Sequence, residues 1–451
     1  VLLGLGRNIH DFLDPAAVAH ALETVEGRMA RGVAAAAAGA QFVTASETGQ
    51  LLRVSLSPVR PTGADAADAI NRAIADGARC GAGADSCTTA PALVYIPPGT
   101  YRLSRPIVSF YNTHILGDAA ARPVLKALPH FEGIAMIDEN PYHPGGKNWY
   151  IPQNNFFRSV ANLVLDLTDM PPSSGTGIHH QVSQSTGLTN VHFEMVRGAE
   201  SRQQGIFMEN ASGGFMSDLS FSGGRYGAWL GNQQFTVRNA RFAHCHTAIC
   251  QYWNWAWTYM DIHVEDCQIA MEMHGMHPDR QGVGALLLFD WYIHNTPVGV
   301  WLEDAQTGHL TLDHVRVRNV PAIVQDSHGS TLLAPPDGST DYSVPLWIKA
   351  PAPSDAAPLP GMERRGSLFV GTPTVRPHRP SCLVDAQGRW FGREKPQCTL
   401  HTDAVPDASN RDIVSVRDFG ATGDGATDDH ATLQSALDAG VGKIVYGTQG
   451  V

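Results

Sequence analysis

The 451-residue chain contains 43% hydrophobic and only 17% charged residues, together with 45 glycines and 29 prolines. This length exceeds the roughly 250–300 residues at which one hydrophobic core stops growing, and the composition excludes a disordered chain or a coiled coil. The net charge of −11 opposes binding to phosphate backbones and anionic membrane surfaces. We therefore expect no nucleic-acid partner and no membrane partner, whereas a neutral glycan meets no such barrier.

Residues 1–58 are rich in alanine, are predicted to be helical, and share nothing with the repeats that follow. They contain no run near the ~20 apolar residues of a membrane span, and the opening five residues are too short for a signal peptide. A chain that starts at valine indicates a processed or incomplete polypeptide. Next, TGADAADAINRAIADG at 62–77 predicts an amphipathic helix that is capped by Asp65 and covers the open end of a domain.

A short phrase, aliphatic-x-Asn/Asp-apolar-x-apolar, then recurs seven times, with spacings of 28, 28, 21, 22, 29 and 24 residues. Such short alternating phrases predict stacked strands, and the absence of a leucine ladder favours a parallel β-helix over a leucine-rich repeat. We therefore predict an all-β domain over 59–330. Its stacked turns should bring Cys245 beside Cys267 and form an inner or turn ladder from Asn side chains. The third residues of the phrases are Asn162, Asn190, Asp218, Asn239, Asp261, Asp290 and His314.

Residues 331–410 are rich in Pro, Ala and Asp and lack a steady period, so they predict a linker. The segment VRDFGATGDGATDDHATLQSALDAG at 416–440, followed by KIVYGTQGV, repeats the helix-then-strand pattern of 62–101. A second β-helix is therefore predicted to begin within 411–451 and to reach about one turn. The pair Asp428 and Asp429 precedes the helix, which favours capping over a catalytic carboxylate pair.

The cysteines and histidines suggest structure rather than metal binding. Two pairs are close enough in sequence to close short disulfides, which would indicate a secreted protein, although four unrelated thiols are the alternative. The pairs are Cys80 with Cys87 and Cys382 with Cys398. The HCH phrase at 244–246 with Cys250 does not have tetrahedral ligand spacing, so we expect no metal site.

The segment at 416–440 resembles the opening signature of the pectate-lyase-like right-handed β-helix superfamily. The ordered phrases PALVYIPPGTYRLS, GIHHQVSQSTGLTNVHF, QQGIFMENASGGFMSDL and QYWNWAWTYMDI resemble the fungal exo-β-1,3-glucanases of glycoside hydrolase family 55, from about residue 62 to 451. Two phrases depart from that pattern: SPVRPTGADAAD, which has Ala66 in place of an aspartate, and VYGTQGV.

The resemblance implies two tandem right-handed β-helices with the active site between them. It further implies inverting release of glucose from the non-reducing ends of β-1,3-glucan, with no cofactor. We expect a secreted monomer that acts on this polysaccharide. The family's catalytic acid is a glutamate of the second β-helix, beyond residue 451, so we expect the chain alone to be inactive.

The resemblance also assigns site residues. Gln184 and Ser212 are expected to position the attacking water, and they lie 28 residues apart, which is one turn of the repeat. The alternative is that both are turn residues with satisfied hydrogen bonds. Ser212 also completes a glycosylation sequon at 210–212, and occupancy there would count against a role on substrate. The residues expected to contact substrate are Gln153, Gln204, Glu209, Asn232, Trp253 and Trp255.

Trp253, Trp255 and Trp257 alternate with small or polar residues, so on one strand they would face the same way. Such a face either stacks on glucose or packs against another part of the protein. A pectin-acting lyase or hydrolase on the same scaffold would need Ca²⁺-binding carboxylates with basic residues, or clustered Asp, which the sequence disfavours. A glycan-binding β-helix without catalysis stays open as a further alternative.

Overall fold

A computed structural model describes strand 54–55, residues 65–374 and residues 413–446, apart from short gaps at 78, 85, 87, 89, 278–280, 304–307, 359, 425 and 441–443. The chain divides into two compact units, Val1–Thr372 and Pro373–Val451. Within the described ranges, no helix has the length and apolar character needed to cross a membrane.

The described part of the first unit has one α-helix and two long sheets. The helix α1 spans Ala67–Ala75, and a 3-10 helix spans Pro152–Asn154. The strands of the first sheet are β1 (Val54–Ser55), β2 (Ala92–Ile96), β3 (Thr100–Leu103), β5 (Thr113–Gly117), β6 (Val124–Ala127), β8 (Ser159–Asp166), β10 (Gly187–Glu194), β12 (Gly214–Ser222), β14 (Gln234–Ala243), β16 (Ala256–Glu265), β18 (Ala285–Phe289), β19 (Tyr292–His294), β21 (His309–Arg318), β24 (Asp341–Pro351), β25 (Met362–Arg365) and β26 (Leu368–Gly371). Those of the second sheet are β4 (Ile107–Val108), β7 (Ile137–Asp138), β9 (Thr176–His179), β11 (Gln204–Met208), β13 (Tyr226–Gly231), β15 (Thr247–Trp253), β17 (Ile269–Met273), β20 (Val298–Leu302), β22 (Ala322–Asp326) and β23 (Thr331–Leu333).

The two sheets run side by side in chain order, which makes the unit a parallel β-helix. The first follows β2-β5-β8-β10-β12-β14-β16-β18-β21, and the second follows β4-β7-β9-β11-β13-β15-β17-β20-β22, all with parallel pairing. Each turn thus adds one strand to each sheet, and inward side chains from both meet in one continuous core. The predicted all-β parallel β-helix is confirmed.

All seven repeat positions, 162, 190, 218, 239, 261, 290 and 314, adopt the left-handed conformation, with φ between 50° and 59°. Asn and Asp tolerate this region better than most residues, which explains the composition of the repeat. The Nδ2 of Asn190 donates to Oδ1 of Asn162 at 2.9 Å, whereas Asn239 donates to Asp218. Of the two kinds of ladder expected, the structure therefore shows the turn ladder. Its left-handed residues bend the long strands of the first sheet.

A row of glycines makes space for a stack of aromatic rings in the core. Phe193, Phe221 and Phe242 stack with ring centroids 4.6 Å and 4.5 Å apart. A Cβ on Gly205 would lie 2.7 Å from the Phe221 ring and 2.5 Å from the carbonyl oxygen of Gly227. The next turn places Val264 opposite Phe242, and alanine occupies positions 248 and 270 of the same row. The buried thiols of Cys245 and Cys267 are neighbours, as predicted, and they donate to the Ala243 and Glu265 carbonyl oxygens.

We expect Gly205→Ala to destabilise the chain by about 2–3 kcal/mol, because the new methyl group overpacks a stacked core. Urea unfolding measures this change. Gly187→Ala is the control, since its Cβ would meet only the Phe215 carbonyl oxygen at 3.2 Å. Equal stability of wild type and Gly205→Ala would contradict this account of the glycine row.

The helix α1 begins where the sequence predicts and packs against β2 and β4. Ile70 and Ile74 are buried in the core, with Ala73 partly buried beside them. The Asp65 carboxylate accepts a hydrogen bond from the Ala67 backbone N–H at 3.0 Å, which caps the first turn. Cys80 is disulfide-bonded, whereas Cys87, Cys382 and Cys398 lie outside the described residues.

The structure differs from the predicted linker over 331–410. Residues 331–371 form β23 to β26, and β24 pairs antiparallel with β21 over eight register positions. Val344 and Trp347 of β24 are buried in the core. The last parallel strand would otherwise present an unpaired edge, and β24 supplies its partner. The prolines lie mostly between these strands, and residues 375–412 fall outside the described ranges.

The described part of the second unit contains β27 (Ile413–Ser415), a 3-10 helix (Val416–Phe419), the helix α2 (His430–Ala439) and β28 (Ile444–Tyr446), with β27 parallel to β28. The Asp428 carboxylate accepts from the His430 backbone N–H at 3.0 Å. Asp429 accepts from Thr422 and Gly423 N–H groups, and these hydrogen bonds lower its pKa. The Asp428 carboxylate therefore caps the start of α2, as predicted, whereas the Asp429 side chain binds the preceding loop and makes no hydrogen bond to the helix N–H groups.

Candidate functional site

Three successive turns bring polar side chains together beyond the ends of β9 and β11. The 3-10 helix carries Gln153, the loop after β9 carries Gln184, and the loop after β11 carries Ser212. The Ser212 Oγ lies 2.9 Å from the Gln153 carbonyl oxygen and 3.2 Å from Gln184 Oε1. The one-turn spacing of residues 184 and 212 thus places the two side chains in contact.

The hydrogen bonds around Ser212 decide what its hydroxyl offers to a neighbour. A carbonyl oxygen only accepts, so the Ser212 hydroxyl donates its single proton to Gln153 O, the nearest acceptor. The Ser212 Oγ and the Gln184 Oε1, 3.2 Å apart, are then two neighbouring acceptor oxygens. Ser212 is 6% exposed, whereas the Gln184 side chain is exposed. A water at this surface would donate to two neutral acceptors, which would leave a lone pair of the water available for attack.

Gln153 and Asn210 link the cluster laterally. The Gln153 Nε2 donates to Asn210 Oδ1 at 3.0 Å, and the same oxygen accepts from the Ala211 N–H. Ala211 has φ of 132°, a region that non-glycine residues rarely adopt, directly before Ser212. The sequon asparagine therefore takes part in the hydrogen bonds that shape this loop.

Asn232 was expected to contact substrate, but its side chain is completely buried. Its Oδ1 accepts from the Gly213 and Gln233 N–H groups at 2.8 Å and 2.7 Å. Its Nδ2 donates to the Val182 and Asn210 carbonyl oxygens at 3.1 Å and 3.4 Å. All four hydrogen-bonding positions are used, so Asn232 is a positioning residue that ties the Ser212 loop to the neighbouring turns.

A buried arginine supports the turn that carries Gln153. The Arg158 Nε donates to Asn155 Oδ1 at 2.7 Å, and its guanidinium also donates to the Ser109 carbonyl oxygen. The guanidinium lies over the Tyr150 ring, 4.8 Å from its centroid. Asn155 in turn donates to the Gln181 carbonyl oxygen at 2.8 Å. This network joins the 3-10 helix to the strand ends beneath Gln184.

The structure also assembles a carboxylate-imidazole-carboxylate group that sequence reasoning missed. The His179 Nδ1 lies 2.8 Å from Asp138 Oδ1, and its Nε2 lies 3.1 Å from both oxygens of Glu209. The Tyr142 and Phe207 rings stack on the two faces of the imidazole. The feature that could have revealed this group is the register of three strands, because residues 138 and 179 pair directly across β7 and β9.

Burial raises the pKa of Glu209 to about 7, and the negative charge of Asp138 acts in the same direction. A neutral imidazole has one donor and one acceptor nitrogen. The tautomer of His179 that donates to Asp138 leaves Nε2 to accept from protonated Glu209. Glu209 was expected to contact substrate, and its side chain is 21% exposed, so the group has one edge open to solvent.

We expect the stability of the chain to fall as pH rises from about 4.5 to 7, because the folded state holds the Glu209 proton more tightly than its ordinary pKa of 4.5 allows. Glu209→Gln cannot ionise, so it should flatten this dependence, by about 3 kcal/mol at most. Urea unfolding across that range measures the slope. The exposed Glu265→Gln serves as the control. An unchanged slope in Glu209→Gln would show that other groups cause it.

The predicted tryptophan face is wrong, because the chain turns between β15 and β16. Trp253 ends β15, and its indole donates to the Glu209 carbonyl oxygen at 2.8 Å. Trp257 is fully buried and donates to the Asn232 carbonyl oxygen. Trp255 lies in the turn and is 56% exposed. Trp253 therefore adjoins the Glu209 backbone, and of the three only Trp255 offers a largely open ring.

Gln204 lies away from the cluster. It begins β11, whereas Ser212 follows the end of that strand. Its Nε2 donates to Thr176 Oγ1 at 3.2 Å, across to the first residue of β9. A five-residue strand separates the two ends by roughly 13 Å, so we leave Gln204 out of the candidate site.

Comparisons with known proteins agree with this fold. The family model described as "Rhamnogalacturonase A/epimerase, pectate lyase-like" matches residues 59–272. A "Probable glucan endo-1,3-beta-glucosidase" of Arthroderma benhamiae is 39% identical over 84% of this chain and 52% of its own length. A "Glucan 1,3-beta-glucosidase" of Cochliobolus carbonum is 37% identical over 86% of this chain and 48% of its own length.

A "Non-secreted LysM effector LysM19" of Penicillium expansum is also similar, at 38% identity over 85% of this chain and 30% of its own length. The chain thus spans about half the length, or less, of these curated relatives. The parallel β-helix, the family match and the glucosidase relatives together identify the chain as a pectate-lyase-like β-helix protein that resembles the glucan 1,3-β-glucosidases of glycoside hydrolase family 55.

Proposed function

We propose that this chain is the water-holding part of an inverting exo-hydrolase that releases glucose from the non-reducing ends of β-1,3-glucan. The observation that carries the proposal is the contact of Ser212 with Gln184 and with the Gln153 carbonyl oxygen, across three successive turns. An inverting glycosidase needs a water held on the face of the sugar opposite the leaving group. The relatives named as glucan glucosidases support glucan as the substrate.

The charge of the cluster supports a neutral polymer over a pectin. The side chains of Gln153, Gln184, Asn210 and Ser212 are all uncharged amides or hydroxyls. An acidic polymer would be better served by basic residues or by bound Ca²⁺. Amides and hydroxyls suit the hydroxyl groups of glucose, with which they exchange both donated and accepted hydrogen bonds.

The general acid of this reaction is proposed to come from a glutamate of a second β-helix, as the resemblance implies. The 451-residue chain alone should then bind glucan weakly and release no glucose. We further propose that the protein is secreted and monomeric. The disulfide at Cys80 favours an oxidising compartment.

The test uses the longest natural reading frame that contains these 451 residues, assayed on laminarin, on laminarin oxidised at its reducing ends, and on polygalacturonate. We expect glucose as the first product from both laminarins and no product from polygalacturonate. A ladder of longer oligosaccharides would point to internal cleavage, as the name of the Arthroderma relative states for that protein. Glucose release by the 451-residue chain alone would contradict the proposed second-helix acid.

A glycan-binding protein without catalysis is the second candidate. The exposed Trp255 ring favours it, since open aromatic rings stack on sugars. Under this alternative, the long reading frame would retain insoluble β-1,3-glucan in pull-down assays while releasing no glucose from it.

A further inference from the structure

A second group of reactive side chains lies on the second sheet, on the outward row of β15 and β17. Cys250, Glu272 and His274 each offer one ligand atom, and these atoms lie within 4.8 Å of one another. Cys250 and Glu272 are direct register partners on adjacent strands. His274 follows the end of β17, two residues after Glu272, so both side chains face the same way.

The distances fit a tetrahedral metal ion. The Cys250 Sγ lies 3.4 Å from His274 Nε2, and that nitrogen lies 3.5 Å from Glu272 Oε2. Bonds of ~2.3 Å to sulfur and ~2.0–2.2 Å to nitrogen and oxygen place neighbouring ligands of a tetrahedron about 3.3–3.6 Å apart. Two of the three separations therefore match those around one small divalent ion, and the third, between the Cys250 and Glu272 ligand atoms, is within 4.8 Å.

A hydrogen bond holds one of the ligands, and a carboxylate lies beside a second. The Thr247 hydroxyl donates to Glu272 Oε1 at 2.8 Å, which leaves Oε2 facing His274. The His274 Nδ1 lies 3.4 Å from Glu303 Oε2, and that oxygen also accepts from the Gly275 N–H at 2.9 Å. A carboxylate beside the second imidazole nitrogen is the usual partner of a metal-bound histidine, because it fixes the ring and its tautomer.

We propose that Cys250, Glu272 and His274 bind one Zn²⁺ ion, with Glu303 orienting His274. The ligand chemistry selects the metal: a thiolate and an imidazole suit zinc, whereas Ca²⁺ and Mg²⁺ prefer sets of oxygen atoms. Two carboxylates and one thiol surround a single imidazole, and a divalent cation would neutralise this negative charge.

The burial of the group defines how the ion would sit. The Cys250 side chain is inaccessible, whereas those of Glu272 and His274 are 10% and 18% exposed. The Zn²⁺ would therefore keep a fourth position toward solvent, for water or another ligand. Bound in this way it would link two successive turns of the β-helix through their side chains.

Sequence spacing conceals this group, because its members are 22 and 24 residues apart and resemble no ligand motif. No metal site was expected from the HCH phrase at 244–246 with Cys250, and Cys250 of that set belongs to the group proposed here. The His246 Nδ1 lies 3.1 Å from the Thr247 hydroxyl, and the His244 Nδ1 lies 3.9 Å from the Asp266 carboxylate. Only the stacking of turns brings Cys250 to His274.

The test measures metal binding by the purified chain after exhaustive chelation. Co²⁺ serves as a spectroscopic probe of zinc sites. We expect one Co²⁺ per chain with a thiolate-to-cobalt charge-transfer band, and its displacement by one Zn²⁺. Cys250→Ser and His274→Ala should remove the band, whereas Cys245→Ser, another buried thiol, should keep it. Glu303→Gln should weaken Zn²⁺ binding about 10–100-fold.

X-ray absorption of the zinc-loaded wild-type chain removes any dependence on how the variants fold. We expect one sulfur and two or three nitrogen or oxygen neighbours around the zinc. The proposal is wrong if the wild-type chain takes up no stoichiometric Co²⁺ or Zn²⁺, if the bound zinc has no sulfur neighbour, or if folded Cys250→Ser binds zinc as tightly as wild type.

Discussion

In the protein encoded by the longest reading frame that contains this chain, Ser212→Ala should lower kcat/KM for laminarin hydrolysis by about 10²–10³-fold. The substitution removes one of the two groups proposed to hold the attacking water. The KM should change little, since a residue that holds the water acts mainly on the chemical step. Gln184→Ala should have an effect of similar size. The double variant should lose little more than either single one, since both residues hold the same water.

Ser217→Ala is the matched control for this experiment. Ser217 is 8% exposed, much like Ser212, but it lies within β12 and outside the cluster. Its activity should equal that of wild type. Ser212→Ala also destroys the sequon at 210–212, so all proteins are expressed in bacteria, where the sequon is not glycosylated. Near-wild-type activity of both Ser212→Ala and Gln184→Ala would assign these residues to the structure of the turns alone.

Arg158→Met should destabilise the chain by about 3–5 kcal/mol, the cost typical of removing one partner from a buried charged network. The substitution leaves Asn155 Oδ1 and the Ser109 carbonyl oxygen without their donor and removes the cation from the Tyr150 ring. It also removes the positive charge that attracts the Glu139 carboxylate. Urea unfolding measures the loss.

The surface residue Arg241 provides the comparison, and Arg241→Met should cost below about 0.5 kcal/mol. Arg158 also supports the turn that carries Gln153. Arg158→Met should therefore have a lower kcat than wild type even at temperatures at which the variant is fully folded. A loss below about 1 kcal/mol would show that the network is not a main support of this end of the β-helix.

The repeated phrase allowed the parallel β-helix to be predicted from the sequence. Asn and Asp recur at 162 and 190 because those positions need a left-handed backbone, and this requirement is local. The glycine at 205 recurs for a different local reason, the ring of Phe221 above it. Requirements of this kind are visible in one sequence because each turn repeats them.

Features that depend on contacts between turns were less visible. The tryptophan prediction failed because β15 ends at Trp253, and the next residue, the buried Asn254, accepts from the Gly284 N–H of the neighbouring turn, a contact that strand alternation does not reveal. The linker prediction was wrong over 331–371, because the pairing of β24 with β21 depends on an open sheet edge that the sequence does not show. The Asp138, His179 and Glu209 group unites residues 41 and 30 positions apart, so only the register of three strands discloses it.

The anomeric form of the first product tests the central claim most directly. Proton NMR, recorded in the first minutes of laminarin hydrolysis by the long reading frame, separates α-glucose from β-glucose before mutarotation mixes them. A water held by Ser212 and Gln184 on the face opposite the leaving group predicts α-glucose. Initial β-glucose would mean retention of configuration, and it would contradict the proposed role of this cluster.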